Sequence, residues 1–416
     1  MEKNPAYAYW LANIRGIGAR RLLRLRETYL ALRVGASGER YGGAVYHEKI
    51  DFAQAVYQME AETLFNLCMD AWGEGERTRA ALERLAEARG KNIGEAEAAL
   101  RALAGRGIAF YSVEAEDYPD KLRWIPDPPY ALYVRGRLPN GAKPSAAIIG
   151  ARMASPYGRE QARRFAGALA ENGIQIVSGM ARGIDGIAGE AALAAGGASF
   201  AVLGSGVDVC YPEENRTLYE KLAERGGVIS EYPPGTEAQA RLFPARNRII
   251  SALAEVLLVI EAKTRSGTLI TVDMALEQGR EVYALPGRVS DALSVGCNRL
   301  IKQGAAIATD PEEILSFFYG VKDETERADK SRLQWQTPPS AAPRYLKEET
   351  LALPPNEQAI YRALSREEAA GIDALAAAAQ RFLGQELDAA AAMRAVMMLV
   401  VRGLAVEEGT GQYRRA

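Results

Sequence analysis

IQIVSGMARGIDGIAGEAALAAGGASFAVLGSG, residues 174–206, is the stretch of sequence that decides the fold. It holds two short apolar runs, IQIV and SFAVL, with a segment of helical periodicity between them. Glycines follow each run, where a chain that leaves a strand must turn tightly. Apolar strands that alternate with helices are typical of a parallel sheet covered on both faces. The stretch therefore predicts a β-α-β unit.

The same alternation extends on both sides of this unit, from about residue 145 to about residue 318. Further upstream, residues 108–112 and 131–134 are short β-rich runs separated by a proline-rich turn, and they predict extra strands that lead into the sheet. We therefore predict an α/β fold class, with an extended Rossmann-like parallel sheet domain over residues 106–320.

The region before the sheet, residues 1–105, has apolar residues at helical spacing and predicts an all-α domain of the helix-hairpin-helix or SAM-like type. Within it, residues 13–23 read NIRGIGARRLL. Glycines in such a turn let backbone N–H groups approach a phosphate at the start of a helix. A plain glycine turn between packed helices explains the same residues equally well.

The region after the sheet divides into two parts. Residues 321–354 are charged and proline-rich, cannot bury a core, and predict a linker. Residues 355–416 predict three helices followed by strand, turn and strand, which is the order of a winged-helix domain. The segment expected to form its recognition helix, residues 385–404, is rich in Ala, Met and Val and poor in cations. This composition favours contact with protein over contact with a DNA groove.

The composition restricts the possible functions. The 416 residues carry a net charge of only −2, so a site for a polyanion must be local. A secretory leader pattern and an apolar run long enough to cross a membrane are both absent, which predicts a cytoplasmic protein without a membrane partner. The single histidine, His47, argues against histidine-based catalysis. Cys68, Cys210 and Cys297 lie far apart and predict buried thiols, not a disulfide or a zinc site.

Ligands of open parallel sheets bind beyond the carboxyl ends of the strands, so the residues just after each apolar run are the candidates. Here they are mainly Gly, Ser and Arg, which suit close backbone approach and bidentate contact with phosphate oxygens. Each turn alone could be a tight strand-to-helix connection, but several at one edge favour a phosphate-binding surface. The predicted DNA-binding residues are Gly150, Arg152, Ser178, Gly179, Arg182, Gly204, Gly206, Arg241, Phe243, Arg246, Asn247, Arg248, Lys263, Arg265, Ser266 and Gly267.

The combination of Phe243 with Arg241, Arg246 and Arg248 places a flat apolar ring among cations. Stacked bases and their backbone require both, so the segment favours single-stranded nucleic acid, although packing of Phe243 in the core is equally compatible. The sequence has neither GxxxxGK[ST] nor, after Gly204-Ser205-Gly206, the third glycine of a dinucleotide fingerprint. A conventional nucleotide cofactor is therefore not predicted.

Four acidic residues follow the predicted strands: Asp185, Asp208, Glu231 and Glu261. They could hold a metal ion or act as an acid-base pair. Capping of the glycine-rich turns, or pairing with the arginines, is the simpler role for carboxylates in this setting. We therefore predict a binding protein, not an enzyme, with no catalytic residue, metal or cofactor.

Several motifs in this region, in the same order, resemble the DNA-processing protein A family, also called DprA or Smf. They are SGMARGID, GSGVDVCYPEEN, SEYPPG, FPARNRIIS, VIEAKTRSGTLIT, ALEQGREVYALPG and SVGCNRLIKQGA, within residues 108–318. The resemblance implies a helical N-terminal domain, an extended Rossmann fold and often a C-terminal winged helix. It also implies binding and protection of incoming single-stranded DNA, homodimerisation, and loading of RecA recombinase during natural transformation.

Carried over by position, the family's Gly-Ser-Arg turn corresponds to residues 150–152, so the resemblance makes Arg152 the leading phosphate ligand. Ala151 departs from this pattern and removes a hydroxyl donor. Gly189 departs from the pattern GIDxxAH, which has histidine at that position. The family's FPxRNR segment and its basic turn correspond to Phe243, Arg246, Asn247 and Arg248, and to Lys263 and Arg265.

Two other functions remain as alternatives. The first is a nucleoside-monophosphate phosphoribohydrolase, an enzyme of the same fold class, although its PGGxGTxxE motif is not found where Ser266-Gly267-Thr268 continues into Leu269. The second is a transcription factor that reads duplex DNA through the winged helix. The sequence identifies neither the dimer surface nor the recombinase contact, and it does not separate transformation from other DNA traffic.

Overall fold

The computed structural model describes residues 4–34, 51–320, 353–365, 369–384, 387–402, 404–407 and 411–415. The chain divides into two compact units, Met1–Arg327 and Ala328–Ala416. The predicted structural histidine, His47, and nearly all of the predicted linker 321–354 lie outside the described residues.

Nine strands in the described part of the first unit form one sheet, in the order β1-β2-β6-β5-β4-β3-β7-β8-β9. They are β1 (Ile108–Ser112), β2 (Ala131–Gly136), β3 (Ser145–Ile149), β4 (Gln175–Ser178), β5 (Ser199–Val202), β6 (Gly227–Ser230), β7 (Val256–Val259), β8 (Glu281–Ala284) and β9 (Ala306–Ile307). Strands β3 to β9 are parallel to one another, whereas β2 is antiparallel to β6 and β1 to β2. The predicted α/β fold with a mainly parallel sheet is confirmed.

In the first unit, six of the described helices precede the first strand in the sequence, and the others lie between or after the strands. They are α1 (Pro5–Ala12), α2 (Ala19–Val34), α3 (Phe52–Gln58), α4 (Ala61–Trp72), α5 (Glu76–Arg89), α6 (Ile93–Gly105), α7 (Asp120–Arg123), α8 (Pro156–Glu171), α9 (Ile184–Ala194), α10 (Arg216–Arg225), α11 (Leu242–Ala252), α12 (Gly267–Glu277), α13 (Val295–Lys302) and α14 (Pro311–Tyr319). A 3-10 turn, Glu213–Asn215, precedes α10.

The central strand β3 illustrates why the sheet is covered on both faces. Successive side chains of a strand point to opposite faces. Ala146 and Ile148 pack with residues of α8, α9 and α14, whereas Ala147 and Ile149 belong to the core that includes α11 and α12. All five residues of β3 are buried, which accounts for the apolar run from Ala146 to Ile149.

The helices before the sheet share its hydrophobic core. Leu11 of α1 and Leu22 of α2 belong to the same buried cluster as Leu132 of β2. The predicted boundary between residues 105 and 106 therefore falls inside one compact unit. The glycine-rich turn separates α1 from α2 as expected, and Gly16 adopts a positive φ of 80° that favours glycine.

The strand order reverses on either side of β3. The chain runs from β3 through β4 and β5 to β6 on one side, and then returns to place β7, β8 and β9 on the other. Connections that leave β3 and β7 in opposite directions open a crevice at their carboxyl ends, which is the usual ligand position of such sheets. The turns after these two strands are therefore the first place to look for a site.

The second unit is small. It contains α15 (Pro355–Ala363), β10 (Ala370–Gly371), α16 (Ile372–Leu383), α17 (Ala389–Val401), β11 (Ala405–Glu407) and β12 (Gln412–Arg415). The three strands form an antiparallel sheet in the order β10-β12-β11. Ile360, Leu375, Val396 and Leu399 are fully buried in its core. Across both units, none of the described helices combines the length and the apolar character needed to span a membrane.

Candidate nucleic-acid interface

An open cleft of about 470 Å³ lies at the crevice between β3 and β7. We refer to it as the cleft. The turn after β3, the start of α11 and the start of α12 all contribute to its lining. The sequence-predicted residues that line it are Gly150, Arg152, Phe243, Arg246, Asn247, Ser266 and Gly267. A small adjoining pocket shares Arg152, Phe243 and Arg246 with the cleft and adds Gly179 and Arg182.

The turn between β3 and α8 presents Arg152 at this edge. Gly150 is required in the turn because a Cβ there would lie 2.7 Å from Cγ1 of Ile184. Ser155 then caps α8, since its Oγ accepts a hydrogen bond from the Gly158 N–H at 3.0 Å. Arg152 is exposed, and its guanidinium lies over the Phe243 ring, 5.5 Å from the centroid.

A buried carboxylate occupies the start of α8. Glu261, which follows β7, is 1% exposed. It accepts a hydrogen bond from the Ser155 N–H at 3.1 Å and another from the Ser155 hydroxyl. Helix starts attract anions because their N–H groups lack partners within the helix. At α8 the protein's own side chain supplies that anion, and it fixes the turn that carries Arg152.

Arg246 lies beneath the aromatic side of the cleft and is only 4% exposed. Its Nη1 donates to the carbonyl oxygen of Gly179 at 2.9 Å and to that of Val202. Burial lowers the pKa of Arg246 to about 10, while the nearby Asp185 carboxylate opposes the change. The side chain therefore stays charged at neutral pH and joins the turn after β4 to the end of β5.

Asp185 is the counterpart of this buried arginine. Its Oδ2 accepts a hydrogen bond from the Gly179 N–H at 3.2 Å. Burial raises the pKa of Asp185, and the opposing influences are the Arg246 charge and backbone N–H groups. The space between the two is closed to side chains, because a Cβ at Gly179 would lie 2.7 Å from the Asp185 carboxylate and 2.8 Å from Arg246.

The other two acidic candidates also have structural partners. Asp208 accepts from the Gly235 N–H at 2.7 Å and pairs with Arg106. Glu231 forms a two-pronged pair with Arg248, at 2.8 and 2.7 Å. All four acidic residues thus cap turns or pair with arginines, as the sequence favoured. In the described part of the chain, no group of three or more His, Cys, Asp or Glu side chains is placed to hold a metal ion.

Arg248 lies apart from the cleft although it is only two residues from Arg246. It is 8% exposed, and besides Glu231 it contacts Asp127, donating to the backbone oxygen at 2.7 Å. It lines a separate cleft that includes Pro126 and Gln278. Arg248 therefore joins the middle of α11 to the segment before β2.

The remaining predicted residues have varied positions. Ser178 is buried and donates from Oγ to the Ile148 oxygen at 2.7 Å, and Gly204 lies against Phe243, since a Cβ there would be 2.9 Å from the ring. Arg182 is exposed and pairs with Glu214. Four further predicted residues line neither the cleft nor the adjoining pocket: Gly206, Arg241, Lys263 and Arg265. The three cations among them are exposed.

The two departures from the family pattern fall in different places. Ala151 lines the cleft, and its carbonyl oxygen accepts from the Ile184 N–H at 3.2 Å. Gly189 lies within α9, where a Cβ would be 3.5 Å from the Leu218 side chain of α10. It does not line the cleft. The missing histidine at position 189 is therefore an interior difference, not a missing side chain of the cleft.

Sequence reasoning did not select Tyr211, which borders both the cleft and the adjoining pocket. Its ring lies 5.4 Å from that of Phe243, at an interplanar angle of 31°. The available signal was its position in the turn region after β5, ahead of a proline. Thr268, Ile270 and Thr271 of α12 also line the cleft, and helical periodicity alone gave no reason to choose them.

The cysteines are buried and unpaired, as predicted. Burial raises the pKa of Cys68 and of Cys297 to about 12, and also raises that of Cys210. Thiolate chemistry at neutral pH is therefore disfavoured at all three positions.

Comparison with known proteins identifies the family. Residues 109–319 match the family model described as DNA recombination-mediator protein A. Protein Smf of Escherichia coli is 47% identical over 203 residues, which are 49% of this chain and 54% of that protein. DNA processing protein DprA of Streptococcus pneumoniae is 42% identical over 208 residues, which are 50% of this chain and 73% of that protein.

The X-ray structure of the Streptococcus pneumoniae protein matches with a TM-score of 0.58 and 30% identity, covering 76% of this chain and 98% of that one. The match to the Escherichia coli protein spans about half of that protein's length. The matched residues contain β2 to β9, all of β1 except its first residue, and the whole cleft. The chain belongs to the DNA recombination-mediator protein A family, in which curated relatives are named DprA or Smf.

Proposed function

We propose that the chain binds single-stranded DNA at the cleft, without sequence preference and without catalysis. One observation carries the proposal. The exposed guanidinium of Arg152 stands over an aromatic ring at the edge of the cleft, while Asp185 and Glu261 are buried on partners of their own. An exposed cation held over an aromatic ring at the edge of an open cleft is suited to a phosphate of a nucleic-acid strand, and Asp185, which also lines the cleft, is already paired with the Gly179 N–H and lies near the Arg246 charge.

Single strands fit this site better than duplex. An open cleft of about 470 Å³ suits an unstacked nucleotide with its phosphate, whereas duplex readers project a helix or ribbon into a groove. Exposed Lys263 and Arg265 in the turn after β7 extend the positive charge beyond the cleft. Contacts with phosphates and ring faces carry no base identity. The proposed binding is therefore independent of sequence.

The rival activity, hydrolysis of a nucleoside monophosphate, needs a carboxylate that is free to act on the substrate. The geometry favours binding, because the four acidic candidates already accept hydrogen bonds from backbone N–H groups, from a serine or from arginine. Incubating the protein with nucleoside monophosphates and separating the products by chromatography tests this. Released base would support the enzyme.

Partners and biological role extend the proposal. Family membership supports a homodimer that protects incoming single strands and loads RecA recombinase in natural transformation, in the cytoplasm. We also propose that residues 355–416 form a winged helix that contacts protein. Its longest helix, α17, exposes Met393, Met397 and Met398, and few cations accompany them. Adaptable methionines at a surface suit protein partners better than a DNA groove.

Fluorescence anisotropy with labelled oligonucleotides tests the binding proposal. We expect tighter binding of single strands than of duplex, with log Kd depending on log salt by about 0.7 per neutralised phosphate. Arg152→Ala should weaken binding and reduce that slope by about one phosphate. Arg101→Ala, on the exposed surface of α6, is the matched control and should bind as the parent does. Equal binding by the Arg152 variant would remove this residue from the site.

A further inference from the structure

Phe243 is the aromatic residue that the sequence singles out for stacking on a base, yet its ring is already surrounded. Three groups lie within 6 Å of its centroid: the guanidinium of Arg152 at 5.5 Å, that of Arg246 at 5.9 Å, and the ring of Tyr211 at 5.4 Å. Gly204 lies directly against the ring, because even a Cβ there would be 2.9 Å from Cδ1. Phe243 is partly exposed and lines the cleft, but a base that stacked on its ring would compete with these neighbours.

Tyr211 is in the opposite situation. It is 42% exposed, and it borders both the cleft and the adjoining pocket that holds Arg182. Its ring is inclined at 31° to that of Phe243, so the two are closer to parallel than to perpendicular. An aromatic ring that contacts another ring and is also 42% exposed at the border of a cleft offers surface on which a base can stack.

The turn that carries Tyr211 is well anchored. Pro212 and Cys210, its two neighbours in sequence, are buried. Asn215 donates from Nδ2 to the Met180 oxygen at 2.9 Å, which joins the 3-10 turn to the segment after β4. A stacking ring held in place loses little conformational entropy when a base binds.

From these contacts we propose that Tyr211 is the residue on which a nucleobase stacks, and that Phe243 acts as a positioning residue that holds the Arg152 guanidinium for the adjacent phosphate. The proposal rests on the proposed function, and it assigns the base contact and the phosphate contact of the cleft to different residues. Tyr211 contributes the base contact and Arg152 the phosphate contact. Removal of Tyr211 should therefore change recognition of bases and leave the electrostatic part intact.

The test compares two single strands of equal length, an oligothymidine and a strand of abasic sugar-phosphate units. The parent protein should bind oligothymidine more tightly. Tyr211→Ala should weaken binding of oligothymidine by about 5- to 150-fold, the range for one stacked base, and should bind the abasic strand as the parent does. Its salt dependence should not change, because no phosphate contact is lost. Tyr211→Phe should keep the parent's preference.

Two further variants complete the comparison. Phe243→Ala should weaken binding of both strands, because the Arg152 guanidinium loses its support. Trp124→Ala is the control, since Trp124 is 84% exposed and does not line the cleft. If Tyr211→Ala retains the parent's preference for oligothymidine, the stacking proposal is overturned while single-strand binding stands. If the parent binds neither strand, the proposed function itself fails.

Discussion

Replacing Glu261 by glutamine removes the charge of a fully buried carboxylate without changing its size. In the native protein this carboxylate accepts from the Ser155 N–H at 3.1 Å and from the Ser155 hydroxyl, at the first turn of α8. Glutamine retains one acceptor oxygen, so one hydrogen bond to a charged group is lost, which contributes about 1.5–3 kcal/mol. The favourable interaction of the charge with the helix start, about 0.3–1 kcal/mol, is lost as well.

The two contributions together predict that Glu261→Gln lowers the free energy of unfolding by about 2–4 kcal/mol. The assay is urea unfolding of the full chain, with the midpoint compared at equal slope. Glu160→Gln is the matched control, because Glu160 lies on the same helix but is exposed. Equal midpoints for the two variants would show that the Glu261 charge does not stabilise α8, and the argument for its role would fall.

Three other perturbations test separate parts of the structure. Gly204→Ala should displace the Phe243 ring, since the new Cβ would lie 2.9 Å from it, and anisotropy should show weaker binding of single strands with little change in Tm. Arg248→Ala leaves its carboxylate partner buried without a cation and should cost about 3–5 kcal/mol in urea unfolding; a loss below about 1 kcal/mol would contradict the assigned role. Burial alone would raise the pKa of Glu255. The hydrogen bond and the charge of Lys121, together with hydrogen bonds from Ser145, outweigh burial and lower this pKa below its usual 4.5. The carboxylate therefore contributes stability above its unfolded-state pKa, and this is lost as the pH falls through the lower folded-state pKa. Tm measured from about pH 6 to about pH 3 should fall less steeply in Glu255→Gln than in the parent.

The parallel sheet was predictable because its signal is repeated along the chain. Each buried strand must be apolar on both faces, and each is followed by a turn of small residues. Residues 174–206 show this pattern once, and the surrounding sequence repeats it. The edge on which ligands bind follows from the direction of the strands alone. The sequence therefore predicts that the glycines and arginines after the strands lie at this edge.

The division of labour among the arginines was not predictable. Arg246 and Arg248 stand two positions apart in α11, and residues at that spacing point to different sides of a helix. Arg246 contacts Gly179 after β4 and Val202 at the end of β5, and Arg248 contacts Glu231. Both predicted phosphate binding in the sequence because these three partners lie 17 or more positions away. The sequence also gave no sign that the rings of Phe243 and Tyr211 pack together, because contacts between distant residues are a property of the fold.

The carboxylate at the start of α8 has a consequence for competition inside a cell. In many α/β proteins a nucleotide binds mainly through its phosphate groups, which accept hydrogen bonds from free N–H groups at the N-terminus of a helix. In this chain Glu261 fills that position from within. We expect a lone nucleotide to gain little here, whereas a polymer can combine many weak contacts along its length. Under the proposed function, the cleft would therefore favour a strand over free nucleotides of the same chemistry.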